Sequence, residues 1–317
     1  MQMRRLGKTE LTLTTLGLGT WAIGGPWQFG WGPQDDQESI QTIIAAVEGG
    51  VNWIDTAPIY GCGHSEAVIG RALREIKEKP LIATKCGLVW NDKREKVNCL
   101  DAAGIIRECE DSLRRLGVEV IDLYQMHWPE PDGQIEEAWG AMAACVRQGK
   151  VRHLGASNVS IAQLERLANV HPVAAIQPPY SLLRRDIETE MLDYCSTRGI
   201  GVVCYSPMFK GLLTGTFSTE RMRNLPPDDH RRFDPNFQEP QLEKNLKLVD
   251  ALRGIAEARG KTVAQLAIAW TLRRPEVTSA IVGARRPEQI QQTLPAGDWT
   301  LDEETIREIE ALLSTAQ

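Results

Sequence analysis

Eight short apolar runs recur along the chain, and longer stretches with helical periodicity separate them. The runs are 13–20 (LTTLGLGT), 51–55 (VNWID), 81–85 (LIATK), 120–127 (VIDLYQMH), 151–157 (VRHLGAS), 173–177 (VAAIQ), 200–206 (IGVVCYS) and 279–283 (SAIVG). Parallel strands covered on both faces read as continuous apolar runs, whereas half-exposed antiparallel strands alternate. Between the runs, apolar residues fall at helical spacing. Ile105, Ile106, Cys109, Leu113 and Leu116 share one face of 101–116, and Ile135, Trp139, Met142 and Val146 share one face of 135–146. Residues 241–256 and 262–272 read as two helices in succession, and 302–313 as a C-terminal helix through Ile306, Ile309 and Leu312. Eight strand–helix units in 317 residues predict an α/β chain, a (β/α)8 TIM barrel with extra C-terminal helices, as a single domain over 1–317. A doubly wound open sheet is the alternative. Residues 3–13 read as an N-terminal β-hairpin with its turn at Gly7–Glu10, placed to plug the barrel's lower end. The one long irregular piece, 214–240, is expected to be a lid-like loop.

Composition narrows the function classes. The net charge is −6, with acids and bases mixed along the chain, so neither nucleic acid nor an anionic membrane is an expected partner. No apolar run approaches the roughly 18 residues of a spanning helix. The first residues, MQMRRLGKTELTL, contain no apolar signal-peptide core. Seven cysteines without a Cys-x-x-Cys pair fit free thiols in a reducing cytoplasm. They show no metal-ligand spacing either, so no metal is expected. Oligomeric state is not specified by any of these features.

One motif is misleading. Gly17-Leu18-Gly19-Thr20-Trp21-Ala22 fits G-x-G-x-x-A, the dinucleotide fingerprint, which should open a helix directly. Here Gly24-Gly25-Pro26 follows at once, and helical periodicity resumes only near Asp36.

In a barrel, chemistry collects at the C-terminal ends of the strands. Asp55 ends the second run, Lys85 the third and His127 the fourth. Ser157 and Asn158 end the fifth, Gln177 the sixth, and Tyr205 and Ser206 the seventh. Tyr60 lies five residues beyond Asp55, in the following loop. Each has a plainer reading: an acid after a strand caps a helix, a lysine snorkels to solvent, a histidine is hydrogen-bonded core. Together they suggest proton transfer by a phenol. A free tyrosine, with a pKa of ~10, is a poor acid at neutral pH. A nearby ammonium should lower that value, and a carboxylate can hold the ammonium charged. A histidine can orient a substrate oxygen. Asp55, Tyr60, Lys85 and His127 supply these four parts.

At this point the chain resembles the aldo-keto reductases, most closely the branch with bacterial general stress protein-like reductases. The resemblance runs through LGLGTWAIGG, IDTAPIYGCGHSE, IATKCG, YQMHWP, LGASN, SPMFKGLLTG and IVGARRPEQI. It implies a nicotinamide cofactor, NADPH (or NADP+), extended across the barrel mouth, and a small carbonyl compound as substrate. It implies that Ser157, Asn158 and Gln177 bind the carboxamide and that Tyr205 stacks on the ring. Thr20 and Trp21 would line the nicotinamide. The backbone of Ser206, Pro207, Lys210, Gly211 and Leu213 would border the pyrophosphate. In the last motif, from Gly283, the resemblance puts Arg285 and Gln289 at the 2′-phosphate, and Gln292 and Thr293 at the adenine. Thr216 departs from the lysine usual after GLLTG, and Lys210 is the candidate substitute. The implied activity is NADPH-dependent reduction of aldehydes and ketones, with Tyr60 as proton donor. Two rivals stand beside it. A Schiff-base aldolase would need Lys85 uncharged. An NADPH-binding regulatory or sensor subunit would show little turnover.

Overall fold

The computed structural model describes residues 1–227 and 229–315. In chain order the strands are β1 (Met3–Arg5), β2 (Thr12–Thr14), β3 (Leu16–Gly19), β4 (Trp53–Asp55), β5 (Leu81–Cys86), β6 (Leu88–Trp90), β7 (Lys96–Asn98), β8 (Ile121–Met126), β9 (Val151–Ser157), β10 (Ala175–Gln177), β11 (Gly201–Tyr205) and β12 (Val277–Gly283). Strands β3, β4, β5, β8, β9, β10, β11 and β12 pair in parallel in that order, and β12 closes on β3. This is the (β/α)8 barrel, and the open-sheet alternative falls away. Around it run α1 (Asp36–Glu48), α2 (His64–Glu75), α3 (Ala102–Leu116), α4 (Ile135–Arg147), α5 (Ile161–Ala168), α6 (Met191–Arg198), α7 (Thr219–Arg223), α8 (Gln241–Glu257), α9 (Val263–Leu272), α10 (Pro287–Thr293) and α11 (Glu303–Thr315). Local sequence sets several helix ends. Asp35 and Asp101 accept backbone N–H groups at the starts of α1 and α3. Ser160 with Gln163, and Thr262 with Gln265, form capping boxes at α5 and α9.

Strand periodicity divides the barrel interior into two levels. Trp53, Ala83, Leu123, Ala175, Val203 and Ile281 make an apolar lower level with Leu6, Leu11 and Leu13 of the β1–β2 hairpin. The hairpin is the expected plug, and the cavity left there is only about 10 Å³. Gly17 makes room for it: a Cβ at this position would lie 2.1 Å from the Trp53 indole. Two residues further along each strand, the inward positions turn polar: Asp55, Lys85, Gln125, Ser157, Gln177 and Tyr205. The outward positions, among them Ile54, Ile82, Tyr124, Leu154, Ile176, Val202 and Cys204, belong to the main core under the helices.

Three segments differ from the sequence reading. The first run splits into β2, which pairs with β1, and β3, which enters the barrel. Residues 88–98 form a β6–β7 hairpin that three-residue strands around a polar turn did not announce. The segment 214–240 is not irregular throughout. It contains α7 and turns at His230–Phe233 and Pro235–Phe237, and its Phe217, Leu225 and Phe237 form a small core with the flanking Leu212 and Leu242. The G-x-G-x-x-A stretch runs from β3 into a single turn of 3-10 helix, Trp21–Gly24, so it opens no α-helix there.

Candidate active site

Asp55, Lys85, Gln125 and Gln177 are buried side by side at the upper level of the barrel. The Lys85 ammonium donates to Asp55 Oδ2 at 2.7 Å, to the carbonyl of Thr56 at 2.9 Å and to the Tyr60 hydroxyl at 3.2 Å. Asp55 Oδ1 accepts from Gln177 Nε2 at 2.7 Å and from Gln125 Nε2 at 3.2 Å, and Gln177 Nε2 also lies 3.2 Å from Gln125 Oε1. The carboxylate is therefore met on both oxygens. Gln125 was not singled out in the sequence. The signal was available two residues before His127, where the inward positions of β8 pass from Leu123 to a polar residue.

Tyr60 reaches this group from the loop after β4. That loop folds tightly because Gly61, at φ +66°, lies against Gly24, where a Cβ would come within 1.9 Å of the Gly24 oxygen. Arg94, from the turn of the β6–β7 hairpin, donates to the Gly61 carbonyl at 3.1 Å and holds the loop from above. The Tyr60 ring meets His127 edge to face at 5.8 Å, and Trp27 at 6.3 Å. His127 is partly buried, and its buried Nδ1 has no hydrogen-bond partner among the described residues.

The electrostatic balance differs from the sequence expectation. Burial pulls the Lys85 ammonium down, but Asp55 and Tyr60 more than offset this, and its pKa is raised. Burial pushes the Tyr60 phenol up; Lys85 lowers it and Asp55 raises it, and the net direction is upward. The lysine was expected to lower the phenol's pKa outright. The carboxylate that keeps the lysine charged also cancels part of its effect on the phenol, and desolvation decides the sign. Burial, then Lys85 and Lys96, press the His127 imidazole well below its usual value, so it is neutral near pH 7. A lysine held charged is the opposite of what a Schiff-base aldolase requires.

The remaining run ends converge on the same mouth. Ser157 Oγ donates to the Gln177 carbonyl at 2.8 Å. Asn158, at φ +59°, donates to the His127 carbonyl at 3.1 Å and to Ser157 Oγ at 3.0 Å, and accepts from the Tyr205 hydroxyl at 2.9 Å. Burial pushes the Tyr205 phenol up to about 12. Thr20 is buried, and its hydroxyl donates to the Asp55 carbonyl at 3.0 Å. Trp21 packs on Trp31 at 5.8 Å and on His230 at 4.8 Å. Beyond β11, Ser206, Lys210 and Gly211 take positive φ in the strap that includes Pro207 and Leu213. Lys210 pairs with Asp234 at 2.7 Å.

Gly283 ends β12 at the surface. Arg285 is half-buried, and its side chain is engaged. It donates to Gln34 Oε1 at 2.6 Å, to the Trp31 carbonyl at 3.2 Å and to the Pro33 carbonyl. Its backbone N–H donates to Gln289 Oε1 at 2.8 Å. The Thr293 hydroxyl donates to the Ile290 carbonyl inside α10, and Gln292 is exposed. No group of His, Cys, Asp and Glu suited to a metal occurs among the described residues, and no helix among them is long and apolar enough to cross a membrane.

Known proteins share this arrangement of chain and fold. A model of the Aldo/keto reductase family matches residues 15–314. The chain is 39% identical over 316 residues to the aldo-keto reductase YhdN of Bacillus subtilis strain 168, covering 99% of this chain and 94% of that one. It is 36% identical over 306 residues to the NADH-specific methylglyoxal reductase of Escherichia coli K12, covering 92% of each. The glycerol dehydrogenase AKR11B4 from Gluconobacter oxydans superposes with a TM-score of 0.90 at 40% identity, over 99% of this chain and 95% of its own.

Proposed function

The chain belongs to the aldo/keto reductase family, and from that premise we propose that it is an NADPH-dependent reductase of aldehydes and ketones with Tyr60 as proton donor. The observation that carries this reading is the relay in which one buried ammonium, Lys85, bonds both the Asp55 carboxylate and the Tyr60 hydroxyl. When bound, the nicotinamide supplies a hydride to the carbonyl carbon. Tyr60 gives its proton to the oxygen as negative charge develops there. The phenolate left behind faces the Lys85 ammonium, so the charge appears where a fixed cation already stands. Asp55 keeps that cation charged. Neutral His127 presents an N–H to the same oxygen and orients it.

The cofactor fits the residues present. Gln177 spends its amide nitrogen on Asp55 and keeps its oxygen for a carboxamide N–H, with Ser157 and Asn158 beside it. Tyr205 is pinned through its hydroxyl and would back the ring. Thr20 and Trp21 would border the nicotinamide, and Ser206, Pro207, Lys210, Gly211 and Leu213 the diphosphate. Gly283, Arg285, Gln289, Gln292 and Thr293 would meet the adenosine end. Trp27, Trp90 and Trp128 around the mouth suit a substrate with an apolar flank. Seven free cysteines fit a reducing cytoplasm.

One observation favours NADH as a second reading. The Arg285 guanidinium is already bonded to Gln34 and to two carbonyls, so recognition of a 2′-phosphate requires those partners to be exchanged. A relative at 36% identity bears the name NADH-specific methylglyoxal reductase. The test is the loss of 340 nm absorbance with a panel of aldehydes, α-dicarbonyls and ketones under each cofactor. The dissociation constants of both cofactors for wild type and Arg285→Ala complete it. A phosphate-reading arginine gives a loss for NADPH alone, of about one to two orders of magnitude. An equal loss for both cofactors assigns Arg285 to holding loop 31–34. No turnover with either cofactor, despite binding, would favour a sensor.

A further inference from the structure

Three hydrogen bonds lay the β6–β7 hairpin across the rim of the mouth. The Lys96 backbone N–H donates to Gln28 Oε1 at 3.0 Å, in the loop after β3. Arg94 donates to the Gly61 carbonyl at 3.1 Å, in the loop after β4. Asn98 Nδ2 donates to Glu130 Oε2 at 2.9 Å, in the loop after β8. A hairpin tied to three loops is a fixed lip.

The register of the hairpin decides which side chains face the mouth. Leu88 stands opposite Asn98, Val89 opposite Val97 and Trp90 opposite Lys96. Directly opposed residues of an antiparallel pair share a face, and so do alternate residues of one strand. Leu88 and Trp90 pack with Ala57, Ile59, Trp27 and Tyr60, so theirs is the inner face. Lys96 and Asn98 lie on it as well. Two observations agree: Asn98 Oδ1 is buried, and Val97, on the other face, is 41% exposed. The Lys96 charge is also among those that lower the His127 imidazole.

This ammonium is unspent. Lys85 pairs with Asp55 and Lys210 with Asp234, whereas Lys96 has no ion-pair partner among the described residues. The nearby carboxylates have partners of their own: Glu95 accepts from Asn91 Nδ2, and Glu130 from Asn98. An exposed lysine is ordinarily a solubilising charge. One fixed on the inner face of a rim, beside a phenol and a neutral imidazole, adds a positive field to the path of an incoming substrate.

We propose that Lys96 selects carbonyl substrates that carry a carboxylate, drawing the anionic end to the hairpin while the carbonyl end meets Tyr60 and His127. This rests on the carbonyl-reductase reading above and names a substrate class for it. A single compact ammonium suits a carboxylate, whereas a phosphate dianion calls for more donors than the lip presents. Trp27 and Trp90, packed on the same face, would line the carbon chain between the two ends.

The probes are succinic semialdehyde and its methyl ester, which share the aldehyde and the carbon chain and differ in charge. The readout is the ratio of their kcat/KM values for wild type, Lys96→Met, Lys96→Glu and Lys93→Met, with melting temperatures as the check on folding. Lys96→Met should lower the acid-to-ester ratio about 2- to 5-fold, the scale of one exposed charge pair. The loss should fall on the KM of the acid. Lys96→Glu should lower the ratio further, and salt near ~1 M should bring the wild-type ratio toward that of Lys96→Met. Lys93, exposed in the turn between β6 and β7, serves as the control, and Lys93→Met should leave the ratio unchanged. A ratio unchanged in Lys96→Glu overturns the proposal. So does an equal loss for acid and ester, since Lys96 would then only hold the hairpin. An equal fall of the ratio in Lys93→Met also overturns it, because the effect would belong to the general surface charge. A Lys96 effect seen only for glyceraldehyde phosphate against glyceraldehyde overturns the assignment to a carboxylate. Reduction of neutral aldehydes without reduction of succinic semialdehyde overturns this proposal alone. No reduction of any carbonyl overturns it together with the reading on which it rests.

Discussion

Lys85 has three N–H bonds, and Asp55, Thr56 and Tyr60 accept all three. A saturated ammonium is a fixed charge, neither a nucleophile nor a base. Its removal has two separable consequences. Lys85→Met leaves Asp55 buried with amide donors but no cation, and breaking a buried pair from one side costs ~3–5 kcal/mol. Asp55→Asn in the same chain removes the stranded charge, so the double variant should unfold at a higher urea concentration than Lys85→Met alone. A double variant less stable than both singles would mean that the pair is not coupled as described. Neither repair restores the charge that faces Tyr60, so turnover should stay low in both Lys85→Met and the double variant. The pH dependence follows from the raised Tyr60 pKa. In the proposed reaction the phenol can donate only while protonated, which holds below its pKa and fails as pH rises through it. With the pKa above its ordinary ~10, the rate of reduction should show no falling limb from this group between about pH 6 and 9. A falling limb centred near pH 7–8 would show that Lys85 outweighs desolvation.

At the scale of elements, the site is built from strand ends and held by the loops beyond them. Residues that end a strand were legible because a polar side chain closing an apolar run stands out, as Asp55, Lys85 and Gln177 do. Gln125 lies inside its run, and its signal, two residues before His127, is faint because strands covered on both faces blur the two-residue alternation. Bonds between ends were not legible at all. Nothing in the spacing says that the Gln177 amide would turn to Asp55, or that Arg285 would close on Gln34. Residues 88–98 and 229–234 escaped notice because short strands and single turns carry too few residues for a periodic signal. The 214–240 segment belongs to this scale. It hangs between β11 and α8, and it stacks His230 and Arg231 on Trp21 and Trp31 at the mouth. A cofactor bound beneath it should slow its amide exchange, measured by mass spectrometry with and without NADPH. Protection unchanged across 214–240, with protection gained elsewhere at the mouth, would make it a passive surface loop.

The molecule as a whole separates stability from chemistry along the barrel axis. The lower level is apolar and plugged by Leu6, Leu11 and Leu13. The upper level, two residues on, is polar and holds the buried Asp55, Lys85, Gln125 and Gln177. This division was legible in outline, since eight runs fix the barrel and their ends fix which face carries function. The sign of the phenol's pKa shift was not legible, because it depends on the balance of burial against two opposed charges. The central claim is that this mouth reduces a carbonyl with Tyr60 as proton donor. Tyr60→Phe removes one hydroxyl and leaves the ring beside His127 and Trp27. The decisive measurement is the rate of cofactor oxidation at 340 nm with the best aldehyde of the panel, for wild type and Tyr60→Phe, beside the cofactor dissociation constant of each. Turnover should fall by ~10²–10⁴-fold with cofactor affinity nearly unchanged. Turnover within a few-fold of wild type in Tyr60→Phe would contradict the claim.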